Sequence, residues 1–316
     1  MIAVVSPKVS LVVVPFNTRS TIGRVLGELE RSECADLELV LVDNYSSDGT
    51  WEEIAEWERQ SQRPHRVLRG DPDHCFAKAV NRGVAVCSGE LVAIVNDDVS
   101  ITDPSWLHLL VETLVAHPDL AAAGPTLLEA DGQTVQSGGL QGSFHAYFRS
   151  PLTGRPYREA PQRTQKVRSL VGAALLFRRE PFVALGGYDE AFCPILFEDT
   201  DMLWRLERYG AGIAWAPQSS LIHLGGVSFG RDPSVTSQNR IRWTCRHTAR
   251  SILVNAPISA LLGELAFLAI VILVYYRLRG LRGLLDAAQW NLARLEETIS
   301  RRKRFRALVG TWAHTT

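Results

Sequence analysis

Carboxylate-rich clusters occur at three places in the 316-residue chain where a strand or helix is expected to end or begin. The first follows the apolar run Leu37–Val42 and begins with Asp43. A carboxylate at the end of a buried strand can accept the imide N–H of a pyrimidine base, which is a fixed and directional contact. Asp48, with Gly49 and Thr50, instead fits a tight turn and a helix N-cap. Turn chemistry is also the alternative interpretation of the whole cluster.

The second cluster is the triplet Asn96-Asp97-Asp98, directly after the apolar run Leu91–Val95. Adjacent carboxylates repel one another, so they are costly unless a cation or hydrogen-bond donors neutralise them. Hard oxygen ligands of this kind suit Mg²⁺ or Mn²⁺ bridging a diphosphate. An Asx turn with solvated acids is the alternative.

The third cluster, Glu198-Asp199-x-Asp201, enters a segment with helical periodicity. The helix dipole and the free N–H groups of a first turn stabilise a carboxylate as the anion. Such a position can hold a general base for a hydroxyl group. Structural capping is the alternative for Glu198 and Asp201. His223 ends an apolar run, and a lone histidine there is more often structural than a ligand.

Alternating strands and helices are predicted to position these clusters. Apolar runs predict strands at 9–14, 37–42, 66–68 and 90–95, and helical spacing predicts helices at 20–33, 50–61 and 78–87. This alternation predicts a parallel α/β sheet with right-handed crossovers. Ligands bind at the carboxyl ends of the strands in such sheets, where the polar clusters lie. Residues 125–165 predict irregular loops and edge strands, and two further short strands are expected at 213–216 and 220–223.

The C-terminal part of the chain is apolar and then basic. Ala256–Tyr276 carries only Ser259 and Glu264 as polar residues, and about 20 apolar residues span a bilayer. Three interpretations stay open: a spanning helix, a helix lying in the membrane plane, or a helix packed against a second subunit. Residues 277–316 hold nine basic and three acidic residues, a net charge of +6. A basic helix at 281–309 is expected to lie on acidic lipid headgroups.

Five cysteines, an odd number with no C-x-x-C pair, predict neither a zinc knuckle nor a disulfide framework. A reducing cytosol fits this usage better. The segment Met1–Lys8 is too short to be predicted as a signal peptide. The 34 basic and 34 acidic residues of the whole chain cancel, which argues against nucleic acid or another polyanion as partner.

Taken in order along the chain, these motifs resemble the family-2 glycosyltransferases of the GT-A fold, and the rhamnosyltransferase-like branch in particular. The resemblance covers about residues 9–230. The matching stretches are Val9–Asn17, Val42–Thr50, Cys75–Gly83, Ser88–Asp98, Val171–Glu180, Leu185–Glu190, Phe197–Arg205 and Leu221–Gly226. It implies an α/β GT-A nucleotide-diphospho-sugar transferase fold, a mixed, mostly parallel sheet flanked by helices. The GT-A domain is expected at 1–245, and a helical extension, membrane-associated or dimerising, at 246–316.

On the donor side, the resemblance implies that Asp43 binds the nucleotide base. Phe16 would lie beside the base, Arg82 close to the base or the diphosphate, and Asp97 near the ribose.

The resemblance also assigns the metal, the base and the acceptor side. Asp98, in the D-x-D position of the family, and His223 would hold Mg²⁺ or Mn²⁺, and Asn96 takes the place of the first acid. Asp199 resembles the catalytic base, with Glu198 as the second candidate. The two residues expected to line the acceptor side are Gly172 and Ala173.

The activity implied is inverting, metal-dependent transfer of one sugar from a UDP- or dTDP-sugar to a hydroxyl of a saccharide or lipid-linked acceptor, with rhamnose among the possible sugars. The Gln-x-x-Arg-Trp signature of processive synthases is absent from the sequence, which favours single-sugar transfer. The expected location is the cytoplasm, at the inner face of the cell membrane, with a homodimer through the C-terminal helices as a further option. Two alternatives remain: a catalytically inactive scaffold of the same fold, and a sugar-nucleotide pyrophosphorylase. The second should carry a Gly-rich loop after its first strand, where this chain has Pro15–Arg19.

Overall fold

The computed structural model describes residues 7–144, 147–225 and 236–312, and a ten-stranded sheet forms the centre of this part of the chain. The strands are β1 Val9–Val13, β2 Leu37–Asp43, β3 His65–Arg69, β4 Leu91–Val95, β5 Val99–Ser100, β6 Leu120–Leu128, β7 Val135–Ser137, β8 Gln141–Phe144, β9 Tyr147–Arg149, β10 Gln165–Val167, β11 Ala174–Arg178 and β12 Gly212–His223. Strands β8 and β9 form a separate hairpin. The helices are α1 Arg19–Glu30, α2 Thr50–Gln60, α3 Phe76–Val86, α4 Trp106–Ala116, α5 Arg179–Ala184, α6 Glu198–Tyr209, α7 Ser237–Asn255, α8 Ile258–Leu292 and α9 Leu295–Leu308.

The expected parallel α/β half is confirmed. Strands β3, β2, β1 and β4 are neighbours in that order and are all parallel. Strands β1, β2 and β4 are buried along their whole length, because helices cover both faces of the sheet. Strand β11 then pairs antiparallel with both β4 and β6, which makes the sheet mixed. The carboxyl ends of β1, β2 and β4 therefore meet at one edge.

Two parts of the expected pattern are wrong. Residues 120–128 form a fully buried strand, β6, inside the sheet, where loops and edge strands were expected from residue 125 onwards. Its alanines and Gly124 leave no hydrophobic periodicity to read, and a Cβ on Gly124 would meet the side chains of Leu170 and Leu175 at 3.0 and 3.1 Å. The second difference is β12, which runs without interruption from Gly212 to His223 with a register shift between Trp215 and Ser220.

The C-terminal helices pack on the sheet domain. Helix α7 runs without a break through residue 245, where the domain boundary was predicted. The expected single basic helix at 281–309 is wrong, since α8 ends at Leu292 and α9 begins at Leu295. Helix α8 is interrupted at Arg277, whose φ is 50°. By length and apolar composition alone, α8 is a candidate membrane span.

The cysteines also differ from the expectation. Cys75 and Cys193 form a disulfide across a sequence separation of 118 residues. Cys34, Cys87 and Cys245 are free and buried. The pairing joins the loop before α3 to the loop before α6, and such a distant pair leaves no short spacing motif in the sequence.

Candidate active site

Asp43 lies at the carboxyl end of β2 and is completely buried. Its Oδ2 accepts a hydrogen bond from the backbone N–H of Ser46 at 3.1 Å and lies 3.3 Å from Nε of Arg69. Its Oδ1 is buried without a hydrogen-bond partner among the described residues. A buried carboxylate oxygen without a donor is costly, so this atom fits a ligand that brings an N–H.

Several aromatic side chains surround the loop that follows Asp43. The rings of Phe16 and His74 lie 4.9 Å apart, and those of Tyr45 and His74 lie 6.0 Å apart. The guanidinium of Arg69 stacks over Tyr45 and Trp51 at 5.2 and 4.9 Å. Flat rings of this kind offer stacking surfaces to a nucleobase. Sequence reasoning identified Phe16 and missed Tyr45, Arg69 and His74, although Tyr45 lies within the motif that contains Asp43.

Asn44 fixes the position of His74. The side-chain amide of Asn44 donates to the carbonyl of His74 at 3.0 Å. In return Nδ1–H of His74 donates to the carbonyl of Asn44, also at 3.0 Å. His74 is held at a φ of 51°, and the disulfide of Cys75 follows it directly. The nucleobase side of the site is therefore built by the loops of Asn44 and His74, which two hydrogen bonds hold together.

Arg82 lies elsewhere. It is on an exposed face of α3, and its guanidinium is 3.6 Å from the carboxylate of Asp71. It does not line the cavity described below. The arginine that contacts Asp43 is Arg69, on the neighbouring strand β3.

Asp97 and Asp98 follow β4 and are both buried. Oδ2 of Asp97 accepts the backbone N–H of Phe16 at 3.0 Å, which ties the end of β4 to the loop after β1. Oδ1 of Asp98 lies 3.4 Å from Nε2 of His223, at the end of β12. The backbone N–H of Leu224 donates to the carbonyl of Asp98, so the two strand ends are joined side by side.

Gln136 orients His223. Nδ1 of His223 lies 2.6 Å from Oε1 of Gln136, and the amide nitrogen of Gln136 donates to the backbone carbonyl of His223 at 2.9 Å. Because Oε1 only accepts, Nδ1 carries the proton, and in the neutral ring Nε2 then presents a lone pair towards Asp98. Metal-bound histidines are oriented by such a second hydrogen bond.

These residues fit a divalent cation. Oδ1 of Asp98 is buried without a hydrogen-bond donor among the described residues, and the nitrogen facing it is an acceptor in neutral histidine. In the neutral ring these two acceptors repel; either a proton on Nε2, which turns the contact into an ion pair, or a cation held by both atoms removes the repulsion. The described residues contain no group of three or more His, Cys, Asp or Glu side chains arranged for a metal. A cation here would take its other ligands from substrate phosphate and water, which is common for Mg²⁺.

Glu198 and Asp199 begin α6, after Phe197 at a φ of 80°. Oδ2 of Asp199 accepts the backbone N–H of Gly172 at 2.7 Å, and Oδ1 accepts that of Thr200 at 2.6 Å. A Cβ on Gly172 would lie 2.4 Å from Oδ2 of Asp199, so only glycine permits this contact without a shift. Gly172 thus helps to position the carboxylate of Asp199.

Burial raises the pKa of both acids, and hydrogen bonds make the rise unequal. Desolvation, and then the charge of Asp199, raise the pKa of Glu198 to about 8. Desolvation also raises the pKa of Asp199, but the N–H groups of Thr200 and Gly172 oppose the rise. The N–H donors therefore favour the anion on Asp199 and leave the proton of the pair on Glu198. Asp199 is therefore the carboxylate that can accept a proton.

Asp201 has a structural role at the start of the same helix. One carboxylate oxygen is 2.8 Å from Nε of Arg205, and the other accepts from the side chains of Ser251 and Asn255 on α7 at 2.7 and 2.6 Å. Arg205 also donates to the carbonyls of Leu185 and Gly187. All of these side chains are buried, so they fix α6 against α7.

A cavity of about 270 Å³ joins these parts. The residues predicted for the site that line it are Phe16, Asp97, Asp98, Gly172, Ala173, Glu198, Asp199 and His223. Asp43 lies next to the lining residue Asn44, and Arg82 lies outside. Acidic groups distant in the sequence thus converge on one cavity at the carboxyl edge of the sheet.

The chain is similar to proteins that transfer sugars. The model of the family "Glycosyl transferase family 2" matches residues 10–186, more than half of the chain. An O-antigen biosynthesis protein, RfbC of Myxococcus xanthus, is 31% identical over 234 residues, which are 71% of this chain and 18% of that protein. The chain spans a quarter or less of the curated relatives that it matches at 31% identity.

Another relative is matched over most of its length, and a solved structure shows the fold. The N-acetylglucosaminyl-diphospho-decaprenol L-rhamnosyltransferase of Mycobacterium tuberculosis is 27% identical over 247 residues, 71% of this chain and 78% of the relative. The mannosyltransferase PcManGT of Pyrobaculum calidifontis, solved with GDP-Man and Mn²⁺, superposes with a TM-score of 0.58 at 17% identity, covering 96% of this chain and 80% of that one. The expected GT-A architecture, with a mixed sheet and C-terminal helices, is confirmed.

Proposed function

Because this chain belongs to glycosyl transferase family 2, we propose that it moves one sugar from a UDP- or dTDP-sugar to an acceptor hydroxyl with inversion at the anomeric carbon. The observation that carries this proposal is the single cavity shared by Asp199 and the Asp98–His223 pair. It provides a base on one side and a place for a diphosphate on the other. Inversion follows from a single displacement, which needs one base and no enzyme nucleophile.

Asp199 is the proposed general base. Its half-buried carboxylate lines the cavity, and the N–H groups of Gly172 and Thr200 hold it as the anion. As the acceptor oxygen attacks the anomeric carbon, its proton passes to Asp199 and the bond from that carbon to the diphosphate oxygen breaks. Protonated Glu198 beside it adds no second negative charge to the site.

Asp98 and His223 are the proposed metal ligands, and Gln136 keeps Nε2 of His223 available. A bound Mg²⁺ or Mn²⁺ supplies a Lewis acid for the charge of the departing diphosphate. PcManGT was solved with Mn²⁺, and this supports a divalent cation here. Asp97 anchors the loop of Phe16 and lies near the ribose in this proposal.

Asp43 is the proposed reader of the base. Oδ1 of Asp43 would accept the imide N–H of uracil or thymine, while Phe16 and His74 contact the ring. Cytosine presents an acceptor nitrogen at that position, and two facing acceptors in a buried site are strongly unfavourable. The expected order of affinity is UDP or dTDP well above CDP.

The proposed acceptor is a lipid-linked saccharide, and rhamnose is a candidate sugar, because the relative from Mycobacterium tuberculosis is named for that reaction. Gly172 and Ala173 would line the acceptor side. The enzyme would then work at the cytoplasmic face of the membrane. The proposed transferase domain, 1–245, contains all of the residues that line the cavity, and 246–316 is the proposed extension.

Release of nucleoside diphosphate from a panel of nucleotide sugars, with and without Mn²⁺, tests the proposal. Asp199→Asn should reduce kcat by about 10²–10⁴-fold, as expected for loss of a general base, and leave binding of the donor intact. Glu198→Gln is the matched control, since it replaces a protonated acid by a neutral amide. Unchanged turnover in Asp199→Asn, or a product that retains the anomeric configuration, would refute the mechanism.

A further inference from the structure

Helix α8 packs on the body of the protein through one narrow stripe. Glu264, Leu268 and Ile272, spaced four residues apart, are buried, and Leu268 and Ile272 join a small core with residues of α7. Much of the remaining apolar surface between residues 258 and 278 is open to solvent. The large exposed apolar residues of this part are Ile258, Leu262, Ile270, Leu273, Val274, Tyr275, Tyr276 and Leu278.

The chain reverses direction after this apolar part. Arg277 has a φ of 50°, and the next turn packs back so closely that a Cβ on Gly280 would lie 2.6 Å from the carbonyl oxygen of Ile272. Gly283 then contacts Ile241 and Cys245 of α7. The apolar part is thus held along α7 over its length. This packing favours a helix lying in the membrane plane over one that spans it.

A basic pocket adjoins the exposed tip Val274–Leu278. Its volume is about 410 Å³, and its polar lining residues are Ser237, Gln238, Arg242, Arg279, Arg282 and Asp286. Arg242 and Arg246 pair with Asp286 at 3.1 and 2.5 Å. Within the described part of the chain, neither Arg279 nor Arg282 forms an ion pair. The pocket is therefore positively charged, and the N-terminal turn of α7 in its wall adds to the attraction for an anion.

We propose that this surface, the tip Val274–Leu278 together with the pocket of Arg242, Arg279 and Arg282, docks on a bilayer of anionic phospholipid. The tip would enter the interface with Tyr275 and Tyr276 at headgroup level, and the arginines would bind lipid phosphate. This combination of apolar interior and anionic surface matches the two properties that lie side by side on the protein.

A second copy of the chain matches this surface less well. Between residues 257 and 285 the sequence has one carboxylate, Glu264, and it is buried. An isologous contact across the exposed face would therefore bring arginines without carboxylates to meet them. The bilayer supplies the missing negative charge.

Flotation of the full-length protein with vesicles tests the proposal. Vesicles of phosphatidylcholine with phosphatidylglycerol should bind the protein, and vesicles of phosphatidylcholine alone should bind it weakly. The double variant Arg279→Gln/Arg282→Gln should lose about 25-fold in affinity, at about fivefold for each arginine. Val274→Asp/Leu278→Asp should lose binding to both vesicles. The matched control is Arg158→Gln/Arg163→Gln, which removes two exposed arginines outside this surface.

Equal binding of Arg279→Gln/Arg282→Gln and the control, or absence of vesicle binding, would overturn the proposal. Displacement by millimolar glycerol phosphate alone would show that the pocket binds a free phosphate. Retention in membranes after alkaline carbonate washing would indicate a spanning helix, and a dimer that Leu278→Asp dissociates would indicate a second copy of the chain. Circular dichroism and release of nucleoside diphosphate show that each variant is folded. Vesicle binding needs no turnover, so it can fail while the proposed transferase activity stands, and the reverse.

Discussion

The carboxylate of Asp199 rests directly on the backbone of Gly172: Oδ2 accepts the N–H of Gly172 at 2.7 Å, and there is no room between them for a Cβ. Gly172 begins the approach to β11, and Asp199 begins α6. The contact therefore joins the sheet to the helix that carries the two acids. It makes the position of the proposed base depend on a residue that has no side chain.

Gly172→Ala should lower kcat by about 10²-fold, because the new methyl group displaces the carboxylate by a fraction of an ångström to an ångström. Donor affinity should change little, since Asp43 lies at the end of β2 and Phe16 in the loop after β1. Steady-state kinetics with separate titration of UDP binding measures both. Gly23→Ala is the control, because a Cβ there meets nothing within 4 Å. Equal kcat in the two variants would contradict the role of Gly172.

Glu198 makes the folded protein less stable as the pH rises. Burial raises its pKa to about 8 from the ordinary 4.5, so between these values the folded state keeps a proton that the unfolded chain has released. The contribution of this group is fully present below pH 4.5 and is lost progressively up to about pH 8. Each pH unit in this window costs at most about 1.4 kcal/mol of the free energy of unfolding.

Glu198→Gln removes this dependence, since an amide has no proton to keep. The free energy of unfolding of the variant, relative to the wild type, should therefore increase from pH 5 to pH 8. Urea denaturation at four pH values measures the difference. Glu180→Gln, which changes an exposed carboxylate on α5, is the control. A constant difference between Glu198→Gln and the wild type would show that Glu198 is ionised in the folded protein.

Much of this site could be predicted from the sequence, because strand ends and motif order are local properties. Runs such as Leu37–Val42 and Leu91–Val95 identify their strands, and the polar residues that follow must lie at one edge of a parallel sheet. The assignments of Asp98 and Asp199 to one cavity follow from that rule together with the family pattern.

The parts that were missed depend on contacts between distant residues. Gln136 orients His223 across 87 positions of sequence, and Cys75 pairs with Cys193 across 118. Arg69 contacts Asp43 because β3 pairs with β2 in the register that places these two residues side by side. The residues around Arg69 in the sequence do not indicate this partner. Arg82, chosen by motif, is exposed on α3, where it pairs with Asp71 and does not line the cavity.

Gln136→Leu should weaken binding of Mn²⁺ by about 10–100-fold, because Nδ1 of His223 loses the acceptor that fixes its tautomer and its orientation. Activity should return at high Mn²⁺ with a nearly normal kcat, which separates a loss of metal affinity from a loss of catalysis. Isothermal titration with Mn²⁺ in the presence of UDP measures the affinity. Gln133→Leu, at a nearby loop position, is the control. If Gln136→Leu binds Mn²⁺ like the wild type, then His223 is held by other contacts or is not a ligand.

The Cys75–Cys193 disulfide connects two neighbouring loops that both line the cavity. Cys75 follows His74 of the base side, and Cys193 precedes Pro194, the first of the residues before α6 that line the cavity. Closing so long a loop of chain restricts the unfolded state, so reduction should lower the free energy of unfolding by about 2–4 kcal/mol. It should also raise KM for the donor, because the loop that carries His74 is no longer tied to the loop before α6.

Denaturation and donor kinetics with and without a phosphine reductant measure both effects. The variant Cys75→Ser/Cys193→Ser should match the reduced wild type and should not respond to the reductant. Cys34→Ser, which removes one of the free cysteines, should keep the full response. If the wild type and Cys75→Ser/Cys193→Ser have the same stability and KM in the absence of reductant, the two loops are held by their hydrogen bonds alone and the disulfide adds nothing to the site.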